Sequence, residues 1–151
     1  MTKKEKDIKI NVITLGAACV GKTSIIKRII DNTFSDYTIM TASFDNFFIK
    51  KNYDKKKLVF TLVFHDTMGQ EQYQGLIPIQ YMRNSPIVLL VFDSIETLKD
   101  LIKRWYKFYK ENANIENSRF ILIGNKSDTF GDEKEEIIKQ GNKFECYNIR
   151  R

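Results

Sequence analysis

Gly16-Ala17-Ala18-Cys19-Val20-Gly21-Lys22-Thr23 is the stretch that decides the fold. An apolar strand, Ile8 to Leu15, runs into it, and a helical stretch over about Lys22 to Asp31 runs out of it. A G-x-x-x-x-G-K-[ST] segment between a strand and a helix is a phosphate cradle. Glycine lets the backbone turn so that successive N–H groups point inward and receive phosphate oxygens at a helix N-terminus. Lys22 is then expected to reach the β- and γ-phosphates, and the Thr23 hydroxyl to ligate Mg²⁺. Short patterns of this kind also arise by chance on a strand–turn–helix. Two further segments, in the right order downstream, argue against chance.

Those segments are Asp66-Thr67-Met68-Gly69-Gln70-Glu71 and Asn125-Lys126-Ser127-Asp128, each after an apolar run, Leu58 to His65 and Phe120 to Gly124. An Asp at the end of a strand beside the phosphate-loop strand holds Mg²⁺ directly or through water. The Asn-Lys-x-Asp segment answers a different need. A carboxylate accepts from the paired N–H donors on one edge of guanine, and adenine lacks that pair. Asp128 therefore argues for GTP over ATP.

Charge and composition narrow the class. The chain has 151 residues, 42% hydrophobic and 29% charged, as one soluble globular domain would have. The longest apolar run, Ile87 to Phe92, is far too short to span a bilayer. The stretch Met1-Thr2-Lys3-Lys4-Glu5-Lys6-Asp7 has no apolar core, so no secretory signal is expected, and Thr2 excludes the myristoylation pattern. Two unpaired cysteines, Cys19 and Cys146, fit a reducing compartment, and a cytoplasmic location is expected. The net charge of +6 invites a nucleic-acid partner, but the lysines alternate with acids on faces expected to be solvated. No nucleic-acid partner is expected.

The pattern along the chain is strand, helix, two strands, helix, strand, helix, strand, helix, strand. The strands are expected at Lys9 to Leu15, Ser43 to Lys51, Lys57 to His65, Pro86 to Phe92, Arg119 to Gly124 and Lys143 to Tyr147. The second and third form an antiparallel hairpin. Ile25, Ile26, Ile29 and Ile30 lie along one face of the first helix. Ser94 caps a third helix whose apolar stripe is Ile95, Leu98, Ile102, Trp105 and Tyr109, and a short helix follows near Glu133 to Lys139. Strands alternating with helices predict an α/β, doubly wound mixed sheet, mostly parallel with one antiparallel edge strand. Ligands bind such a sheet at the carboxyl ends of the strands.

With these three motifs the chain resembles the Ras superfamily of small GTPases over about Lys9 to Asp128, and the Rab branch most closely. Thr41 falls at the family's switch I threonine, Asp66 through Tyr73 reads like its D-T-A-G-Q-E-x-[YF] switch II, and Trp105 stands where Rab proteins carry a tryptophan. The resemblance implies a P-loop NTPase G domain that binds GTP or GDP with Mg²⁺. Its phosphates would lie over Ala18, Cys19, Val20, Gly21, Lys22, Thr23 and Ser24. Its base would lie against Phe34, Asn125, Lys126 and Asp128, with a backbone N–H near Asn148. It further implies Thr23, Thr41 and Asp66 on the metal, Gly69 on the γ-phosphate and Gln70 orienting the attacking water. His65, where Rab proteins usually have Trp, is expected to be a satisfied or solvent-facing sheet residue. Effector, exchange-factor and activating proteins would read switches I and II.

Departures from the family pattern concern hydrolysis more than binding. Ala18 stands where the family mostly has Gly or Ser, Met68 stands where it has Ala, and switch I reads Thr41-Ala42-Ser43-Phe44. The chain stops at Arg151, where the family begins its last helix, so a single G domain over residues 1–151, truncated before that helix, is expected. Cys146 lies outside any C-a-a-X box, so no lipid anchor is expected, and contact with endomembranes would come through a partner or a missing segment. The leading function is a Rab-like GTPase switch, with a GTP-binding scaffold of little turnover as the alternative. A P-loop kinase or ATPase is disfavoured by Asp128.

Overall fold

The chain alternates strands and helices as β1 (Lys6–Leu15), α1 (Lys22–Asp31), β2 (Asp45–Tyr53), β3 (Leu58–Asp66), α2 (Ile79–Arg83), β4 (Ile87–Phe92), α3 (Ile95–Asp100), α4 (Lys107–Asn112), β5 (Arg119–Gly124), α5 (Lys134–Asn142) and β6 (Tyr147–Asn148). The computed structural model describes residues 6–35, 43–53, 58–69 and 77–142 and the backbone of residues 147–148. The strands make one sheet in the order β2-β3-β1-β4-β5-β6. β2 runs antiparallel to β3, from Asp45 opposite Asp66 to Tyr53 opposite Leu58, and every other neighbouring pair is parallel.

Connectivity fixes where a ligand can bind. The chain first builds outward from β1 to β3 and β2, then crosses back to lay β4 on the other side of β1. Strand order reverses at β1, and the crevice outside its carboxyl end is the switch point of a doubly wound sheet. The phosphate loop, Asp66, Asp93 and Asn125 all follow strands at that same edge.

Both faces of the central parallel strands carry packed helices, as parallel strands require, whereas β2 is largely exposed. β4 shows the alternation. Val88, Leu90 and Phe92 pack with Met82, Leu98, Trp105 and Ile137 from α2, α3, α5 and the turn after α3, whereas Leu89 and Val91 pack with Val20 and Ile26 on the α1 side. On α1 only Ile26 is fully buried; Ile25 and Ile30 are partly buried and Ile29 is 45% exposed, so the expected isoleucine face is only partly covered. No helix among the described residues is long and apolar enough to cross a membrane.

The third helix keeps its expected stripe and adds one residue to it. Ser94 caps it as expected, accepting from the Thr97 N–H, and Thr97 completes a capping box from the third helical position. Ile95, Leu98, Trp105 and Tyr109 are buried as expected, Ile102 packs partly buried against the same core, and Leu101 adds a fully buried residue beside it. Between α3 and α4, Leu101–Tyr106 winds as a π-helix.

Tyr109 ties this helix to the sheet. Its buried hydroxyl lies 3.0 Å from Met82 O, 3.3 Å from Ser85 O and 2.9 Å from Ser118 Oγ. Removing the hydroxyl deprives buried acceptors of their partner, which costs about 1–3 kcal/mol. Tyr109→Phe is therefore expected to lower the urea midpoint with an unchanged m-value; an unchanged midpoint contradicts this role.

Candidate functional site

The phosphate loop is held open by its glycine and by its packing. Gly21, at φ +95°, begins α1 in the left-handed region, and a Cβ there would lie 2.2 Å from Asn125 Nδ2. Only glycine allows both that φ and that approach. Val20 is fully buried in the α1-side core and pins the loop, while Ala18 is half-buried and Cys19 is exposed at φ +61°. Lys22, Thr23 and Ser24 form the first turn of α1, whose amides have no partner within the helix.

Lys22 is the loop's buried charge. Its Nζ donates to Gly16 O at 3.0 Å and to Ala17 O at 2.8 Å, and the residue is only 6% exposed. Burial brings its pKa down to about 8, partly offset by the nearby Asp66 carboxylate and Cys19. Asp66, fully buried at the end of β3, accepts from Thr23 Oγ1 through Oδ2 and from Thr14 Oγ1 at 3.3 Å through Oδ1. Burial raises the Asp66 pKa, and hydrogen bonds from Thr23 and Thr14 and the charge of Lys22 act the other way.

Thr23 and Asp66 thus meet as two hard oxygen donors beneath the loop. No cluster of three or more His, Cys, Asp or Glu side chains suited to a metal occurs among the described residues. Such a donor set suits Mg²⁺, which takes one or two protein oxygens and completes its octahedron with water and phosphate. It does not suit a cation that needs a full protein cage. Gly69 enters from the same side, so close that a Cβ would fall 2.4 Å from Ala17 O and 2.5 Å from Ala18 N. Its backbone lies directly against the phosphate loop.

A second loop completes the crevice. The Asn125 N–H continues the β4–β5 ladder to Phe92 O at 2.8 Å, and Asn125 Nδ2 donates to Val20 O at 2.9 Å. Lys126, at φ +55°, turns its Nζ back to Cys19 O and to Asp93 Oδ2, 2.7 Å from each. Asp128 stands exposed on the short helical turn Ser127–Thr129. Ser24, Phe34 and Asn125 line one open cavity of about 420 Å³ together with Ile25, Arg28 and Ile29, and Phe34 is 68% exposed. The Asn148 backbone pairs beside Leu122, one residue later than the expected end of the last strand.

The fold therefore gathers Ala18 to Ser24, Phe34, Asp66, Gly69, Asn125, Lys126 and Asp128 at one sheet edge. Thr41 and Gln70 lie outside the described residues. His65 differs from expectation: it is 4% exposed, its Nδ1 meets Asn46 Oδ1 at 2.5 Å, and its Nε2 has no hydrogen-bond partner among the described residues. Phe44 and Tyr81 pack on its ring, with centroids 5.8 and 4.6 Å away, and burial lowers its pKa. Two residues of the site carry no motif signal. Thr14 was hidden inside an apolar strand, and Asp93 is recognisable only once β4 and β5 are aligned side by side.

The family model described as Roc, Ras of Complex, domain of DAPkinase, matches residues 11–128. Ras-related protein Rab-21 of Dictyostelium discoideum is 39% identical over 139 residues, covering 91% of this chain and 61% of that protein. Human Ras-related protein Rab-12 is 36% identical, covering 91% and 55%, so this chain spans only part of the length of both relatives. Ras-related protein RABG3d of Arabidopsis thaliana is 30% identical over 144 residues, 92% of this chain and 68% of its own length. With the family model matched over residues 11–128 and a relative 30% identical over 68% of its own length, the chain belongs to the Ras superfamily of small GTPases, in its Rab branch.

Proposed function

We propose that this chain is a guanine-nucleotide switch that binds GTP or GDP with Mg²⁺ and slowly hydrolyses GTP to GDP and phosphate. One observation carries the reading. A buried lysine, a Thr23–Asp66 oxygen pair and an Asn-Lys-x-Asp loop converge on a single phosphate-loop crevice. The loop amides and Lys22 grip the phosphates, and Asp128 accepts from the guanine edge while the Lys126 stem lies along the purine. Phe34 lies across the base and the backbone near Asn148 donates to it. Thr23, Asp66 and Thr41 hold Mg²⁺, which when bound neutralises charge on the β- and γ-phosphates. Gly69 donates to the γ-phosphate and Gln70 orients the attacking water. Loss of that phosphate frees both switches, and effector, exchange-factor and activating proteins read the difference. Such a switch fits the vesicle traffic or signalling roles of the family and a cytoplasmic site with peripheral endomembrane contact.

A second reading, a GTP-binding scaffold with little turnover, is favoured by Ala18 and Met68, which flank the point where Gly69 meets the loop. Single-turnover hydrolysis of bound GTP separates the two. The switch is expected to turn over, and Gln70→Leu to slow it at least about tenfold with GTP affinity nearly unchanged. Tight GTP binding with no phosphate release in the unaltered protein establishes the scaffold.

A further inference from the structure

We infer that Asp93 is a positioning residue for the guanine site and acts through Lys126; this rests on the nucleotide reading above. Asp93 follows β4 as Lys126 follows β5, and the parallel register that sets Phe92 opposite Gly124 brings the two side chains together. Each carboxylate oxygen of Asp93 has its own partner. Oδ1 accepts from Thr97 Oγ1 at 3.1 Å, and Oδ2 accepts from Lys126 Nζ at 2.7 Å. The Thr97 hydroxyl is itself fixed, receiving the N–H groups of Asp93 at 3.0 Å and Ser94 at 2.9 Å. The carboxylate is thus locked by the cap of α3 before it meets the lysine.

The side chains of this ion pair are 43% and 19% exposed, so the pair contributes little to folding. Its consequence lies in geometry. Lys126 Nζ is held at two points, Cys19 O on the phosphate loop and Asp93 Oδ2 at the helix cap. A lysine stem pinned at both ends loses its rotamer freedom before the purine arrives. Nucleotide then binds beside a wall already in place, and that pre-organisation slows release. In the site-binding loop Lys126 makes the contact; Asp93 fixes where it stands.

The experiment follows release of a fluorescent GDP analogue from four proteins: the unaltered chain, Asp93→Ala, Lys126→Ala and the double variant. Asp93→Ala is expected to speed release about tenfold with a smaller change in association, and to add nothing in the Lys126→Ala background. Thermal unfolding, followed alongside, is expected to fall with Asp93→Ala in both backgrounds, because the Thr97 contact is lost in each. Should Asp93→Ala not fold, Asp93→Asn keeps an acceptor for Thr97 and gives a smaller acceleration that again disappears without Lys126. Equal release from Asp93→Ala and the unaltered chain, or accelerations that multiply in the double variant, overturns the inference while leaving nucleotide binding intact. An unaltered chain that retains no GDP overturns the nucleotide reading itself.

Discussion

Guanine-nucleotide affinity is expected to fall about tenfold between about pH 7 and about pH 9, and Lys22→Met to lower it about 10²–10³-fold and remove the pH dependence. The nucleotide-free lysine titrates at about 8 because burial disfavours its charge. Polyphosphate oxygens favour the charged form, so the bound pKa lies above the free one. Below about 8 the lysine is already protonated and binding has its full strength. Above it a proton must be taken up, and each further pH unit weakens affinity until the bound pKa is reached. Folding of the nucleotide-free chain runs the opposite way. The folded pKa of about 8 lies below the ordinary 10.5, so the unfolded chain binds more protons between those values, and stability from this group rises with pH there. Calorimetry in buffers of different ionisation enthalpy detects the proton taken up. A flat affinity across this window, with Lys22→Met binding as tightly as the unaltered chain, removes Lys22 from the phosphate site.

Hydrogen bonds offset the burial of the Lys22 charge. Its ammonium is satisfied by Gly16 O and Ala17 O, carbonyls from the turn that the glycine-rich spacing creates. That spacing was legible in the sequence because the turn chemistry is local. The strands were equally legible: β5 was placed residue for residue, and the hairpin β2–β3 appeared as expected with its ends moved by one or two residues. What escaped was set by non-local geometry. Leu101 joins the expected stripe and lies deeper than Ile102, because which of two neighbouring apolar residues on one helix face is fully covered depends on what packs against it. Thr14 reads as one more strand residue until β3 lies alongside β1 and brings Asp66 to it. His65 is expected to be a satisfied or solvent-facing sheet residue; Asn46 does satisfy its Nδ1, but Phe44 and Tyr81, distant along the chain, cover the ring. Motifs report residues that face a ligand, whereas the residues that hold them in place are revealed by strand order.

Asp128→Asn is expected to exchange base preference, weakening GDP about 10²–10³-fold and strengthening xanthosine diphosphate to the affinity GDP had before. The reason lies in donor and acceptor count. Guanine presents two adjacent donors on this edge, its ring N–H and its amino group, and a carboxylate with two acceptor oxygens meets both. An amide supplies one acceptor and one donor. Against guanine its N–H₂ faces the amino group, leaving donors opposed and desolvated, which costs more than a lost contact alone. Against xanthine the ring N–H meets the amide oxygen and the xanthine carbonyl accepts from the amide nitrogen. Asp128 is well placed for such a discrimination. The turn Ser127–Thr129 that carries it is closed by Thr129 N–H and Oγ1 on Lys126 O at 2.9 and 2.8 Å, without using the carboxylate, so the substitution leaves the scaffold of the loop intact. Adenosine diphosphate serves as the control, since adenine presents neither the donor pair of guanine nor the donor and carbonyl of xanthine on this edge. Competition against a fluorescent nucleotide measures all three bases in one titration. A variant that still prefers GDP, or that loses all three nucleotides alike, means that the base is read by a different group than Asp128.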